Sequence, residues 1–482
     1  MWRARVGERS HRLARYRRIA MPRSNRFVPV WLTVALLAGG CGGLRPAAIA
    51  VSASAAASLR VTASIPGGAS PSLGSIAPTN PPPTNPPPTD PPASSPDPAA
   101  SSLTARPAPT SPPVPATSPP MAGSRIVHAL QAGLDEARTS LSIPGISATI
   151  VFPDGTIWTG VSGFADVAAR RPVTPETPFA IASISKTFVA ALVLQLAAEG
   201  RFGLDDPVGP LLPGVDLDPA ITVRMLLDHT SGLHDFFNHP KIDRALQGGP
   251  ARRWTAERAL GYVQEPYFEP GTGWKYSNTN YLLLGLLVER VTGRTVGAEL
   301  RDRFFDPLHL ATAYDQLAEA ASPAVAHGYR LTGPDGNARL TDLADGTGLA
   351  PFRSAVSAAG GAGSVAAGSR DVALWAKALY GGAAIDPASL ASMVAEVEPF
   401  AIVGPRVPYG LGVQIRTIDG RLTYGHSGGF VGFRVVMRWL PEEQVAIAVL
   451  TNQSRHDAGE LAARLLRIAL PEQGPCRCWM AS

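Results

Sequence analysis

Three short stretches of this 482-residue chain hold side chains whose types and spacing could do chemistry. The first is Ser183-Ile184-Ser185-Lys186. Ser183 stands at the entry to an apolar helix and Lys186 follows one turn later, so the i,i+3 spacing puts both on one face. A serine hydroxyl attacks only with a base within hydrogen-bond reach, and an unprotonated lysine can serve. A helix N-terminus also presents free N–H groups that stabilise a developing oxyanion. A capping serine followed by a surface lysine would read the same way. Lys186, however, enters a strongly apolar run, where a solvated cation is less natural. The chain has only four lysines, yet Ser-x-x-Lys arises by chance in roughly one such chain in four. Lys186-Thr187 also matches the end of a phosphate-binding loop, but no glycine run precedes it, which excludes that chemistry.

The second stretch runs from Pro270 through Tyr276-Ser277-Asn278 to Tyr281. A phenol and an amide two apart in an extended segment point the same way. Tyr276 can relay a proton and Asn278 can bind a substrate amide, although helix capping by Asn278 or Asn280 is the plainer use. The third stretch is Tyr424-Gly425-His426-Ser427-Gly428-Gly429. It fits G-x-S-x-G, a motif that needs a strand before it and a helix after it. Phe433 to Met437 follows instead and is strand-like, and only His456 remains downstream as a base. The same glycines would let a substrate backbone lie against a strand edge.

No metal or cofactor is expected. His229, His234 and His239 recur every five residues beside Asp235, a spacing that does not keep ligands on one helix face. Gly361 to Ala366 fits a relaxed dinucleotide fingerprint, but no strand leads into it.

The elements that must position these residues are legible in outline. Helical periodicity covers Ile126 to Leu141, Thr187 to Ala198, Val223 to Leu227, Tyr281 to Val291 and Ala458 to Ile468. The second of these is apolar nearly all round and so must be buried. Strands are expected over Ser147 to Phe152, Thr156 to Gly163, Leu411 to Ile415, Phe433 to Leu440 and Val445 to Leu450. Strands at both ends with helices between predict one sheet built from both termini, with an inserted helical region.

Composition sets the address. Between Leu44 and Gly123 lie 21 of the 47 prolines and only five charged residues, so this stretch cannot bury a core. The repeat Pro-Pro-Pro-Thr-Asn, Pro-Pro-Pro-Thr-Asp favours extended polyproline II, a semi-rigid spacer. Residues 1–26 carry nine Arg against one Glu, and the rest carries 34 basic against 37 acidic residues. The basic character is therefore confined to the leader, and nucleic acid is excluded as a partner. Phe27 to Ala38 is too short to span a bilayer and reads as the apolar part of a secretory signal. Cys476 and Cys478 are tail thiols, so no disulfide scaffold is expected. The chain divides into a signal peptide (1–40), Cys41 with a disordered linker (41–123), a folded domain (124–472) and a tail (473–482), and translation could start at Met1 or Met21.

Two resemblances follow. Leu37-Ala38-Gly39-Gly40-Cys41 resembles a bacterial lipoprotein signal, which implies lipidation of Cys41 and an anchor on the outer face of the cytoplasmic membrane, or secretion without it. Ser183-Lys186, Tyr276-Asn278 and His426-Ser427-Gly428, in that order, resemble the serine β-lactamase and penicillin-binding protein superfamily. Class C β-lactamases and D-alanyl-D-alanine carboxypeptidases are the nearest in look. The likeness covers about residues 124 to 470 and takes in Ile221 to Leu233 and Gly360 to Asp371.

The resemblance implies an α/β (α+β) fold, with an antiparallel sheet flanked by helices and an inserted, mainly helical region. It implies a monomer acting on a small-molecule or peptide substrate, either peptidoglycan-derived or an ester. Ser183 would be the nucleophile, and Lys186 and Tyr276 would share the general-base work. Asn278 would bind the substrate amide. The N–H groups of Ser183 and Gly429 would form the oxyanion hole, and His426, Ser427, Gly428 and Gly429 would contact substrate. His426 stands where most β-lactamases have a lysine, as in some carboxypeptidases and D-aminopeptidases, and as imidazolium it would hold a substrate carboxylate. DD-carboxypeptidase-like hydrolysis is the expectation. A β-lactamase or esterase, and a non-catalytic envelope-binding lipoprotein, are the alternatives.

The anchor is directly testable. Cys41→Ser is expected to move the protein from the membrane fraction to the medium or wash, because it removes the cysteine that would carry the lipid. Unchanged membrane retention, with no lipid mass on the N-terminal peptide, would refute it.

Overall fold

The computed structural model describes residues 121–470 apart from 336, 399, 400 and 405. The leader, Cys41, the linker up to residue 120 and the tail lie outside the described residues.

The central sheet is antiparallel throughout and has seven strands. Their order is Arg171–Pro172, Ile157–Asp166, Gly145–Val151, Val445–Thr451, Phe433–Leu440, Arg421–Phe430 and Gln414–Ile418. The two ends of the domain meet in its middle, where Ile146 pairs with Thr451 and Val151 with Ala446. Both central strands are buried along their whole length because helices cover both faces. Alternation still sorts their side chains. Ile146, Ala148 and Ile150 face the helices Met121–Ser140 and Ala458–Ala469, packing with Leu134, Leu461 and Leu465. Ser147 and Thr149 face the other way, where both hydroxyls meet that of Ser369, at 2.8 and 2.7 Å, at the start of the helix Ser369–Tyr380.

The inserted region on that second face is built around the helix Ser185–Ala198, which is buried almost throughout. Phe188 on this helix stacks on Trp375 with ring centroids 4.0 Å apart. The helix Asn278–Thr292 packs in the same core through Leu283, Leu284 and Leu287. Among the described residues no helix is long and apolar enough to cross a membrane.

The expected helices are present, with ends displaced by up to five residues. Two differences bear on the site. The strand expected at Leu411 to Ile415 begins at Gln414, because Gly412 takes a φ of +79°, outside the extended range. The ten-residue strand Arg421–Phe430 was not expected, because three glycines dilute its β-propensity. Close packing requires two of those glycines. A Cβ on Gly425 would sit 2.0 Å from the Met437 carbonyl oxygen, and one on Gly428 would sit 2.3 Å from that of Ile181.

Ile181 is two residues from Ser183, so the Gly428 contact seats the strand against the nucleophile turn. Gly428→Ala is expected to force the two apart and to lower stability by about 1–3 kcal/mol. A thermal melt checks this, and an unchanged melting temperature would show that the seat is not tight.

Candidate active site

Ser183 lies in a single 3-10 turn, Ala182–Ile184, that runs straight into the helix Ser185–Ala198. The residue before it, Ala182, is buried with a φ of +47°, a conformation that costs a non-glycine residue about 1–3 kcal/mol. The surroundings hold the turn there. The Ile181 N–H donates to the Val365 carbonyl, and the Val365 N–H donates to the Ser185 hydroxyl at 3.1 Å.

Lys186 is fully buried. Its Nζ is 3.1 Å from Ser183 Oγ, 2.8 Å from Asn278 Oδ1 and 2.7 Å from the Ala362 carbonyl oxygen. It also lies 5.2 and 5.4 Å from the ring centroids of Tyr276 and Tyr281. Burial lowers its pKa to about 7, and the charge of Asp235 opposes that fall. Two of its three neighbours can only accept, since an amide oxygen and a carbonyl oxygen have no proton to give. In the neutral amine they take both hydrogens, and the lone pair is left for the Ser183 hydroxyl. That arrangement makes lysine a base toward serine.

Asn278 opens the helix Asn278–Thr292, and both ends of its amide are used. Oδ1 holds Lys186, and Nδ2 donates to Asp235 Oδ2 at 2.8 Å. Asp235 is itself fixed by capping the 3-10 turn Phe236–Asn238, accepting from the Phe237 N–H at 3.0 Å. Burial raises its pKa, while these hydrogen bonds and Lys186 pull the other way. Asn278 therefore orients the lysine, and it lines the cavity. Sequence reasoning passed over Asp235 as a neighbour of the histidine series. The Ala362 carbonyl carries no side-chain signature; its turn falls in the Gly360 to Asp371 stretch of the family likeness, which assigns it no role.

Tyr276 is half-buried at the cavity wall, with its hydroxyl oxygen enclosed and making no well-aligned hydrogen bond. Burial drives its pKa well above the usual phenol value, and the nearby Ser183 hydroxyl offsets this only in part. A phenol in that setting keeps its proton. Lys186, expected to share the base role with Tyr276, is placed to act as the base, and Tyr276, as a neutral phenol, can donate or relay a proton.

His426 lies on the strand Arg421–Phe430, is 1% exposed and does not itself line the cavity; its ring centroid is 6.2 Å from that of Tyr276, which does. Its Nδ1 is 2.6 Å from the Ser427 carbonyl oxygen, which can only accept, so Nδ1 carries the proton. Its Nε2 then accepts from the Tyr409 hydroxyl at 2.9 Å. Burial, with Lys186 next in effect, pushes its pKa well below the ordinary histidine value. A neutral, doubly bonded imidazole is not the titrating carboxylate sensor the sequence suggested. Ser427 Oγ and N–H both reach Gln414 Oε1, which also takes a hydrogen bond from buried Arg438. The element that follows Ser427's strand is the strand Phe433–Leu440 and not a helix, which removes the G-x-S-x-G reading. His229 is buried with Nδ1 facing the Ser277 N–H and the Asn280 amide, which makes it a packing residue of this site.

A cavity of about 420 Å³ opens on this machinery. Ser183, Tyr276, Asn278 and Gly429 line it, as does the Ala362 turn, with Lys186 directly behind. His426, Ser427 and Gly428 do not line it. Phe237, Leu246, Phe352 and Phe430 make much of the wall apolar.

The domain is similar to known proteins. A family model for beta-lactamase matches residues 125–470. A D-aminopeptidase of Cereibacter sphaeroides is 27% identical over 349 residues, which is 72% of this chain and 64% of that protein. The chain thus spans about 64% of the length of that curated relative. Among solved structures, the D-amino acid amidase of Ochrobactrum anthropi SV3 aligns at a TM-score of 0.62 with 27% identity, covering 72% of this chain and 98% of that one. The octameric penicillin-binding protein homologue of Pyrococcus abyssi aligns at 0.59 with 26% identity, covering 71% and 77%.

The electrostatics give a pH test. An amine whose pKa is about 7 is protonated and inactive below that pH and free above it, so acylation should rise as pH passes through about 7. Asp235 holds this value up. Asp235→Asn keeps an acceptor for Asn278 but removes the charge, and is expected to move the acid limb to lower pH. Acylation rates measured from pH 5 to 9 check this, and an unmoved limb would refute the coupling.

Proposed function

The chain belongs to the beta-lactamase family, and from that premise we propose that it is a serine hydrolase cleaving amide bonds of D-amino-acid peptides or amides through an acyl-enzyme on Ser183. The observation that carries this reading is the buried Lys186 amine, whose lone pair is left facing the Ser183 hydroxyl. The names of the D-aminopeptidase and D-amino acid amidase relatives support the choice of substrate.

The steps follow from the geometry. The substrate carbonyl sits over Ser183 with its oxygen toward the N–H groups of Ser183 and Gly429, where the developing negative charge is stabilised. Ser183 Oγ attacks as Lys186 takes its proton. Tyr276, a neutral phenol, passes a proton to the departing amine and is re-protonated from the lysine ammonium. Water then attacks the ester as Lys186 takes its proton, the acyl–Oγ bond breaks, the lysine ammonium returns that proton to Ser183 Oγ, and the acid leaves. Asn278 steadies the acyl amide while holding the lysine. The sequence features of the leader support an extracytoplasmic enzyme held by lipid at Cys41.

Intact mass after incubation with a D-alanyl ester, a D-amino acid amide and, separately, a penicillin tests the reading. The expected result is a transient adduct with the D-substrates that Ser183→Ala abolishes, while Ser427→Ala still forms it. Labelling that survives Ser183→Ala but not Ser427→Ala would overturn it. A long-lived penicillin adduct alone would move the assignment away from D-amino-acid amides.

A further inference from the structure

Two charged side chains line the catalytic cavity, Asp243 and Arg330, and among the described residues neither has an ion-pair partner. Asp243 is on the helix Ile242–Gln247, and Gln247 follows it at i+4 on the same face. Arg330 is half-buried on the strand Tyr329–Thr332. Its Nη2 reaches Gln247 Oε1 at 3.4 Å, at the outer limit of a hydrogen bond. The acid and the base thus share one mouth, on two elements linked through Gln247, without neutralising each other. Everything else on the wall is neutral, and much of it is apolar. Asp243 is exposed at the rim and Arg330 half-buried, and neither charge is taken up by another protein group, so both are open to a charged ligand entering the cavity.

We infer that this mouth is a zwitterion clamp, with Arg330 taking an α-carboxylate and Asp243 an α-ammonium. The preferred substrate is then a short D-peptide with both ends free, in preference to a capped peptide or a simple amide. Guanidinium matches a carboxylate with two parallel N–H donors, and a carboxylate accepts from ammonium. A dipeptide spans at most about 7 Å, so both of its charges stay within a cavity of this size. This inference rests on the proposed hydrolysis at Ser183, yet it can fail separately.

The probe is D-phenylalanyl-D-alanine, with its N-acetyl form, its C-terminal amide and the doubly capped form. Binding is measured by calorimetry to the full-length Ser183→Ala protein, and KM and kcat with the wild type. The free dipeptide should bind about tenfold tighter than either singly capped form. Arg330→Gln should raise KM about tenfold for peptides with a free carboxylate, and much less for the amide. Asp243→Asn should do the same for free amines against N-acetyl. In both variants kcat should change little, since neither group touches the reacting atoms. Equal binding of all four probes, no binding of the dipeptide, or uniform effects of the substitutions would overturn the clamp. If Ser183→Ala shows the binding preference while wild type hydrolyses none of the four, the clamp stands and the proposed hydrolysis fails.

Discussion

A primary amine enclosed by protein on every side is the constraint on which the rest of the domain depends. Lowering a lysine pKa from 10.5 to about 7 means that folding strips the cation of its water. By linkage the cost at pH 7 is ~4 kcal/mol, since each unit is worth about 1.4 kcal/mol and the group is half-protonated there. The sign is unfavourable. The unfolded chain binds the extra proton, so the penalty is greatest below pH 7 and fades as pH climbs toward the free lysine value. A penalty of that size persists only in a large, well-packed core. The apolar helix Ser185–Ala198 is therefore both the origin of the penalty and part of what offsets it.

The penalty becomes useful chemistry only if the amine is aimed. Two acceptors from distant parts of the chain do this, the Ala362 carbonyl and the Asn278 amide. Asn278 could present either end, and Asp235 decides which by taking the NH₂ side. The nucleophile turn is pinned in the same manner, with Val365 bonded to Ile181 and Ser185 and the strand Arg421–Phe430 seated on Ile181 through Gly428. Each of these is a contact between segments far apart in sequence. The central sheet, closed by the pairing of Gly145–Val151 with Val445–Thr451, brings the segments together.

This division explains what could be read from the sequence. Ser183, Lys186, Tyr276 and Asn278 carry their chemistry in side chains at short fixed spacings, and all four are at the site. The buried helices and the two central strands announce themselves through apolar periodicity. What was hidden had no local signature. Asp235 acts through a residue 43 positions away and through its charge on Lys186, and Ala362 acts through its backbone. The strand Arg421–Phe430 uses glycine where neighbouring backbones come too close for a Cβ, and glycine is what a sequence reading takes for a loop. His426 was misread for a different reason. Its residue type suggests a titrating group, but exposure governs titration, and exposure is a property of the fold.

The placement of His426 also changes where charge recognition can reside. Behind the strand, Arg438 is buried without a carboxylate partner among the described residues, and burial lowers its pKa only to about 10, so it remains a cation at neutral pH. A second positive charge on His426 would add repulsion from Lys186, Arg438 and Arg416, which is part of why the imidazole stays neutral. The field at this strand edge is therefore fixed across neutral pH. Gln414 carries the arginine's polarisation to Ser427 through a single shared oxygen. Across neutral pH the group at the catalytic centre whose charge must change is Lys186, and that separation lets the base titrate without disturbing the charges that select the substrate.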